Sequence, residues 1–151
     1  MRFTSLAVAL LACAAFLTAA ESAVGTWKLN LAKSKYTKGT PPKEQTLTIM
    51  EHGPDMHVVV KGVAADGKAI SSSFTVPKSG GPGKIIESPY DAVSSKRISD
   101  TERENTYSKA GKAVYTSASK INHGGKTMTI TAKGIGLSGK EVEVVGLYDK
   151  Q

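Results

Sequence analysis

The residue whose chemistry depends most on its surroundings is Arg97. Counting by twos along Ala92–Ser99 puts Val93, Ser95 and Arg97 on one face. If Val93 points to an apolar interior, the guanidinium follows it and needs a carboxylate, a carbonyl or an anionic ligand there. If Ile98 sets the buried face instead, Arg97 is solvated. The three histidines do not form a metal set. His52 and His123 stand in glycine-containing turns, and His57 falls on the face opposite Met56, Val58 and Val60. Ligation needs three or four convergent donors. A haem-binding interior needs an inward histidine, which His57 supplies only if the strand slips by one residue.

Nothing in the chain reads as a nucleophile elbow, a metalloprotease helix or a phosphate loop. Gly134–Gly139 lies between two strand-like runs, with no helix N-terminus to meet an anion. Glu102, Glu104, Glu141 and Glu143 fall at strand ends or on outward positions, so no acid–base pair is indicated. The reading is non-enzymatic, with no catalytic residues, no metal and no cofactor.

The elements that must position these residues are strands. Val24–Asn30 contains the single tryptophan, and its alternation groups Gly25, Trp27 and Leu29 on one side. Leu31–Lys43 is Lys-, Ser- and Pro-rich and reads as an irregular connection, with room for one helical turn at Leu31–Ser34. Alternating runs follow, punctuated by turn residues such as Asp66-Gly67, Ala110-Gly111 and Asn122–Gly125. Their inward faces group Leu47 with Ile49, Val58 with Val60, Ile70 with Ser72 and Phe74, and Arg103 with Asn105 and Tyr107. Farther on they group Ala113, Tyr115, Ser117 and Ser119, then Met128 with Ile130, then Val142, Val144, Gly146 and Tyr148. This rhythm predicts an all-β fold, a single up-and-down antiparallel β-barrel of about 8–10 strands without a helical lid. Closure also removes exposed edges.

The first 20 residues read as a secretory signal: Arg2, an apolar run from Leu6 to Leu17, and small residues at Thr18–Ala20. The run is too short to span a bilayer. Cys13 is an unfavourable lipidation site because the sequence stays apolar after it. The domain is then 21–151, exported to periplasm or medium, with no cysteine and no transmembrane segment. Removing 1–20 takes only Arg2 from the charge count, so +7 becomes +6. Lysines spread over strand faces keep a sheet protein soluble and unpaired. A basic surface with tyrosines also suits single-stranded nucleic acid, but a secretory leader argues against that partner.

Gly25-Thr26-Trp27-Lys28-Leu29 near the start, Leu147-Tyr148-Asp149-Lys150 at the end and the meander between, with its Lys109–Lys112 turn, resemble the calycins. These are the lipocalins and fatty-acid-binding proteins. The opening is also similar to that of small secreted bacterial proteins. The resemblance implies a barrel holding a small hydrophobic or amphipathic molecule. Fatty-acid-binding proteins carry two helices after the first strand, and Leu31–Lys43 is too short and proline-rich for them. Their anchoring arginines match Gly146 and the Ala118–Ser119 region here, so neither carries over. The secreted lipocalins suit the leader better. The candidate ligand-binding residues are Trp27, Phe74, Arg97, Tyr107, Tyr115, Ser117, Met128 and Tyr148. The alternative is a filled barrel that acts in the cell envelope through its lysine-rich surface.

Overall fold

The structure is a computed structural model and describes residues 21–151; the expected signal segment and Cys13 lie outside the described residues. Eleven strands form one antiparallel sheet: β1 Gly25–Lys38, β2 Glu44–His52, β3 Asp55–Val63, β4 Ala69–Pro77, β5 Gly81–Pro82, β6 Lys84–Glu87, β7 Ala92–Arg97, β8 Glu102–Lys109, β9 Lys112–Ile121, β10 Thr127–Ile135 and β11 Glu141–Lys150. The order across the sheet is β5-β7-β8-β9-β10-β11-β1-β2-β3-β4-β6. Seven of the ten neighbouring pairs are consecutive in sequence, so short turns specify most of the pairing. The first and last strands also pair, with Leu29 opposite Tyr148.

The two remaining edges are joined by one short segment. Gly81–Pro82 pairs with β7, and Lys84–Glu87 pairs with β4. Gly83 is the crossing point, and its N–H donates to the Val93 carbonyl at 2.8 Å. A Cβ at Gly83 would lie 2.2 Å from the Thr75 carbonyl oxygen and 2.9 Å from Val76 and Val93 methyls. Only glycine lets the backbone pass between the two edges, and the result is a nearly closed barrel.

Alternation along the strands sorts the side chains as the sequence indicates. Trp27, Leu29, Leu47, Ile49, Val58, Phe74, Val76, Val93, Met128 and Tyr148 are buried in one core. Two departures come from bulges. The first strand does not stop at Asn30 but runs to Lys38, so the expected irregular connection and helical turn are corrected. Asn30 pairs with Leu147 and Lys35 with Val145, so five positions of β1 span two of β11. Polar side chains hold this bulge. The Lys33 N–H donates to Asn30 Oδ1 (3.1 Å), Ser34 Oγ donates to the Asn30 carbonyl (2.7 Å), and the Leu147 N–H donates to Ser34 Oγ (2.9 Å). These residues look like a loop because their hydrogen bonding is local. The bulge flips the phase, so inward positions are odd before it and Tyr36 is inward after it.

The second bulge lies in the β8–β9 hairpin. Tyr107 pairs with Tyr115 but Ser108 with Ala113, which leaves Val114 extra and Ala113 exposed, against the expected inward placement. The turn is made by Ala110 and Gly111, both at positive φ (49° and 76°). Asp91 Oδ2 accepts from the Ala110 N–H at 2.7 Å and holds the alanine in that conformation.

Candidate functional site

The inward faces enclose a cavity of about 1090 Å³ that opens to solvent. That is at or above the upper end of small-molecule sites, at roughly 300–1,000 Å³. The core does not fill the barrel. One wall, on β2–β4, is apolar: Leu47, Ile49, Val58, Val60 and Phe74, interrupted by Ser72. The facing wall, on β7–β9, carries Arg103, Asn105, Ser117 and Ser119 among aromatic rings.

Seven of the eight expected residues stand on this cavity: Phe74, Arg97, Tyr107, Tyr115, Ser117, Met128 and Tyr148. Trp27 does not. It is fully buried beneath the cavity, and its indole N–H donates to the Ala23 carbonyl at 2.8 Å. The Lys150 ammonium sits 5.1 Å from its ring centroid. Trp27 lies near the start of β1, where its side chain meets packed neighbours rather than open space.

Arg97 stands at the edge of the cavity. It keeps the phase of Val93 and Ser95, but as the last residue of β7 it stands on the rim, with a side chain 43% exposed and ion-paired to Asp100. The half-buried guanidinium belongs instead to Arg103, directly opposite Arg97 on β8. Arg103 donates to the carbonyls of Pro77 (3.1 Å) and Lys78 (2.7 Å) and to Ser95 Oγ (2.8 Å). Burial first, and Arg97 second, hold its pKa below the usual arginine value. Arg103 therefore clasps the β7–β8 hairpin to the end of β4, beside the seam that Gly83 crosses. Its inward face is visible in the sequence, since it alternates with Asn105 and Tyr107. Its carbonyl partners are not, because they come from the end of β4 and the residue after it, 26 and 25 residues away.

Four aromatic rings on the cavity form one chain of contacts. Tyr107 meets Phe74 edge-on at 5.5 Å and Tyr115 at 5.5 Å. Tyr90 stacks on Tyr115 at 5.9 Å and lies 5.1 Å from Tyr107. Each such pair adds about 0.5–1.5 kcal/mol beyond its buried area. Tyr90 comes from the Ser88–Asp91 corner, where alternation gives no signal. It reaches across the end of the barrel, and its hydroxyl donates to the Ile135 carbonyl at 2.6 Å. Tyr148 accepts from Gln45 Nε2 at 2.8 Å. Burial raises the pKa of all five tyrosines: Tyr36, Tyr90, Tyr107, Tyr115 and Tyr148. Burial here disfavours charge of either sign, since it also lowers the pKa of Arg103.

One polar atom stands out. Asn105 Oδ1 is buried with no hydrogen-bond partner. The amide nitrogen reaches the Tyr107 hydroxyl only at 3.4 Å. Rotating the amide merely changes which of its two atoms is unpaired.

Outside the cavity, His57 Nε2 and Ser73 Oγ are 2.7 Å apart on the outer face. No cluster of three or more metal-ligating side chains occurs among the described residues. No helix of the described residues is long and apolar enough to cross a membrane.

No protein-family model matches the chain, and no curated protein matches it. Solved structures do resemble it. A redesigned β-barrel, mFAP1, bound to DFHBI is 12% identical, with 84% of this chain and 94% of that chain covered and a TM-score of 0.47. Another, EF1p2_mFAP2b bound to DFHBI, is 14% identical over 85% and 93%, with a TM-score of 0.48. A zebrafish ileal bile acid-binding protein complexed with cholic acid is 16% identical over 85% and 98%, with a TM-score of 0.44. At these identities and scores the likeness is one of barrel outline and transfers no residue roles. This chain is similar to small ligand-carrying barrels in that outline, and its site stands on its own geometry.

Proposed function

We propose that the protein is an exported, non-enzymatic barrel that holds one small hydrophobic or amphipathic molecule in its interior. The observation that carries this reading is the cavity of about 1090 Å³ with one apolar and one polar wall. A barrel that served only as a scaffold gains nothing from leaving this space, because unfilled core forfeits dispersion contacts and stability. Bile acid and DFHBI in the similar barrels are in keeping with the reading. Leu47, Val58, Val60, Phe74 and Met128 supply apolar area to an occupant, and burial of that area stabilises by about 25 cal/mol per Å². Export rests on the apolar leader at residues 1–20.

The test is native mass spectrometry of protein isolated gently from its own source. A discrete adduct mass, released on denaturation and missing from the cavity-filling variant Ala132→Trp, supports the reading. Ala132 is buried on the cavity wall between Ser117 and Val144. Bare wild-type protein that also takes up no neutral apolar probe defeats it.

A further inference from the structure

Five tyrosines line the cavity. The protein engages three of their hydroxyls. Tyr90 donates to the Ile135 carbonyl, Tyr148 lies 2.8 Å from Gln45 Nε2, and Tyr107 lies 3.4 Å from the Asn105 amide nitrogen. Tyr36 and Tyr115 have no such partner. Neither oxygen is sealed off, since the one buried and unpartnered side-chain polar atom among the described residues is Asn105 Oδ1. Both phenols therefore offer a free hydroxyl to the open space that they line.

The two stand on either side of a strip of small side chains. Tyr115 on β9 pairs with Gly134, and Gly134 with Val142. Tyr36 on β1 pairs with Val144, and Val144 with Ala132. The inner face of that strip carries no charged or polar side chain. Charged groups that line the cavity stand towards its ends: Glu51, Lys78 and Asp100 at one, Asp66 and Lys140 at the other. Burial holds both phenols above their ordinary pKa, so each keeps its hydrogen at neutral pH. An ionic head group drawn between them loses water and gains no counter-charge. An uncharged acceptor loses less and meets two donors. A carbonyl oxygen has two lone pairs and no hydrogen of its own, so it takes both and leaves nothing unpaired.

We propose, resting on the cavity reading above, that the occupant carries an uncharged carbonyl oxygen, as in a ketone, ester or quinone, which accepts from the hydroxyls of Tyr36 and Tyr115. An alcohol can accept from both phenols as well, but it brings a hydrogen that the strip between them has no acceptor for. The apolar remainder of the molecule then lies against Val58, Val60 and Phe74.

The test displaces the neutral dye N-phenyl-1-naphthylamine with three matched probes: decan-2-one, decan-2-ol, and decanoate at about pH 8, where it is ionised. The ketone is expected to bind about fivefold more tightly than the alcohol and about tenfold more tightly than the carboxylate. Tyr36→Phe and Tyr115→Phe each keep the ring and remove one donor. Each is expected to weaken the ketone about fivefold relative to the dye. The infrared carbonyl stretch of bound decan-2-one, labelled with carbon-13 at the carbonyl, should lie below its frequency in hexane and rise in either variant. Should a variant fail to fold, the wild-type stretch still decides: a value equal to that in hexane overturns the proposal. Alcohol or carboxylate binding as tight as the ketone's overturns it too, as does ketone affinity that neither variant moves while the dye still binds. Failure of the dye and all three probes overturns the cavity reading, and this one with it.

Discussion

Replacing Arg103 with methionine keeps the apolar stem and removes the fork. Three hydrogen bonds go, to the Pro77 and Lys78 carbonyls and to Ser95 Oγ. Bonds from a charged donor are each worth about 1.5–3 kcal/mol when their partner stays dry. Two effects reduce that sum. The two carbonyls lie near the rim and can take water, and the variant no longer buries a cation next to Arg97. A net loss of about 2–3 kcal/mol follows. For 131 residues the unfolding entropy is about 0.28 kcal/mol/K, so the thermal midpoint drops by about 7–11 °C. The loss should be local before it is global. Amide exchange should quicken at Gly83, whose N–H bonds to Val93, and at Lys78, whose N–H bonds to Pro54, while β10 and β11 stay protected. Arg103→Lys, with one donor group in place of a fork, should recover only part of the loss. A drop under 2 °C, or exchange that quickens uniformly, refutes the clasp.

Gly83→Ala is expected to destabilise by about 3 kcal/mol, because its methyl would meet the Thr75 carbonyl at 2.2 Å. Denaturant unfolding reads this directly, and an effect below 1 kcal/mol contradicts the tight crossing. The buried tyrosines predict a pH dependence. Their folded pKa values lie above the ordinary value near 10, so the protonated phenols' contribution to stability is whole below about pH 10 and is lost as pH rises beyond it. Phenolate absorbance should therefore show no step near pH 10 in the folded protein and a cooperative rise at higher pH together with loss of structure. Early ionisation of three or more tyrosines without unfolding would falsify the burial assignment.

Strand alternation and turn chemistry made most of the barrel legible. From Leu47 to Val76 and from Met128 to Tyr148, the inward face can be counted off the sequence, because one face of each strand is apolar and the period is two. Bulges broke that count. Asn30–Ser34 hides an inward Tyr36 behind a phase change, and the extra Val114 turns Ala113 outward. Position along a strand mattered as much as phase. Trp27 and Arg97 both have the inward phase, but one lies in the packed floor and the other on the rim. Tyr90 and the partners of Arg103 depend on contacts between distant segments, which no local pattern carries. The Asn105 amide was visible as inward, but its lack of a partner appears only once Ser95, Ser117 and Tyr107 are placed around it.

The barrel's interior as a binding space is tested most directly by titrating the purified domain with N-phenyl-1-naphthylamine, in parallel with Ala132→Trp. Saturable binding of one dye per chain in the wild type, lost in a variant with an unchanged β-sheet spectrum, is the predicted result. Absence of saturable binding, or binding that persists undiminished when tryptophan occupies the cavity wall, contradicts it.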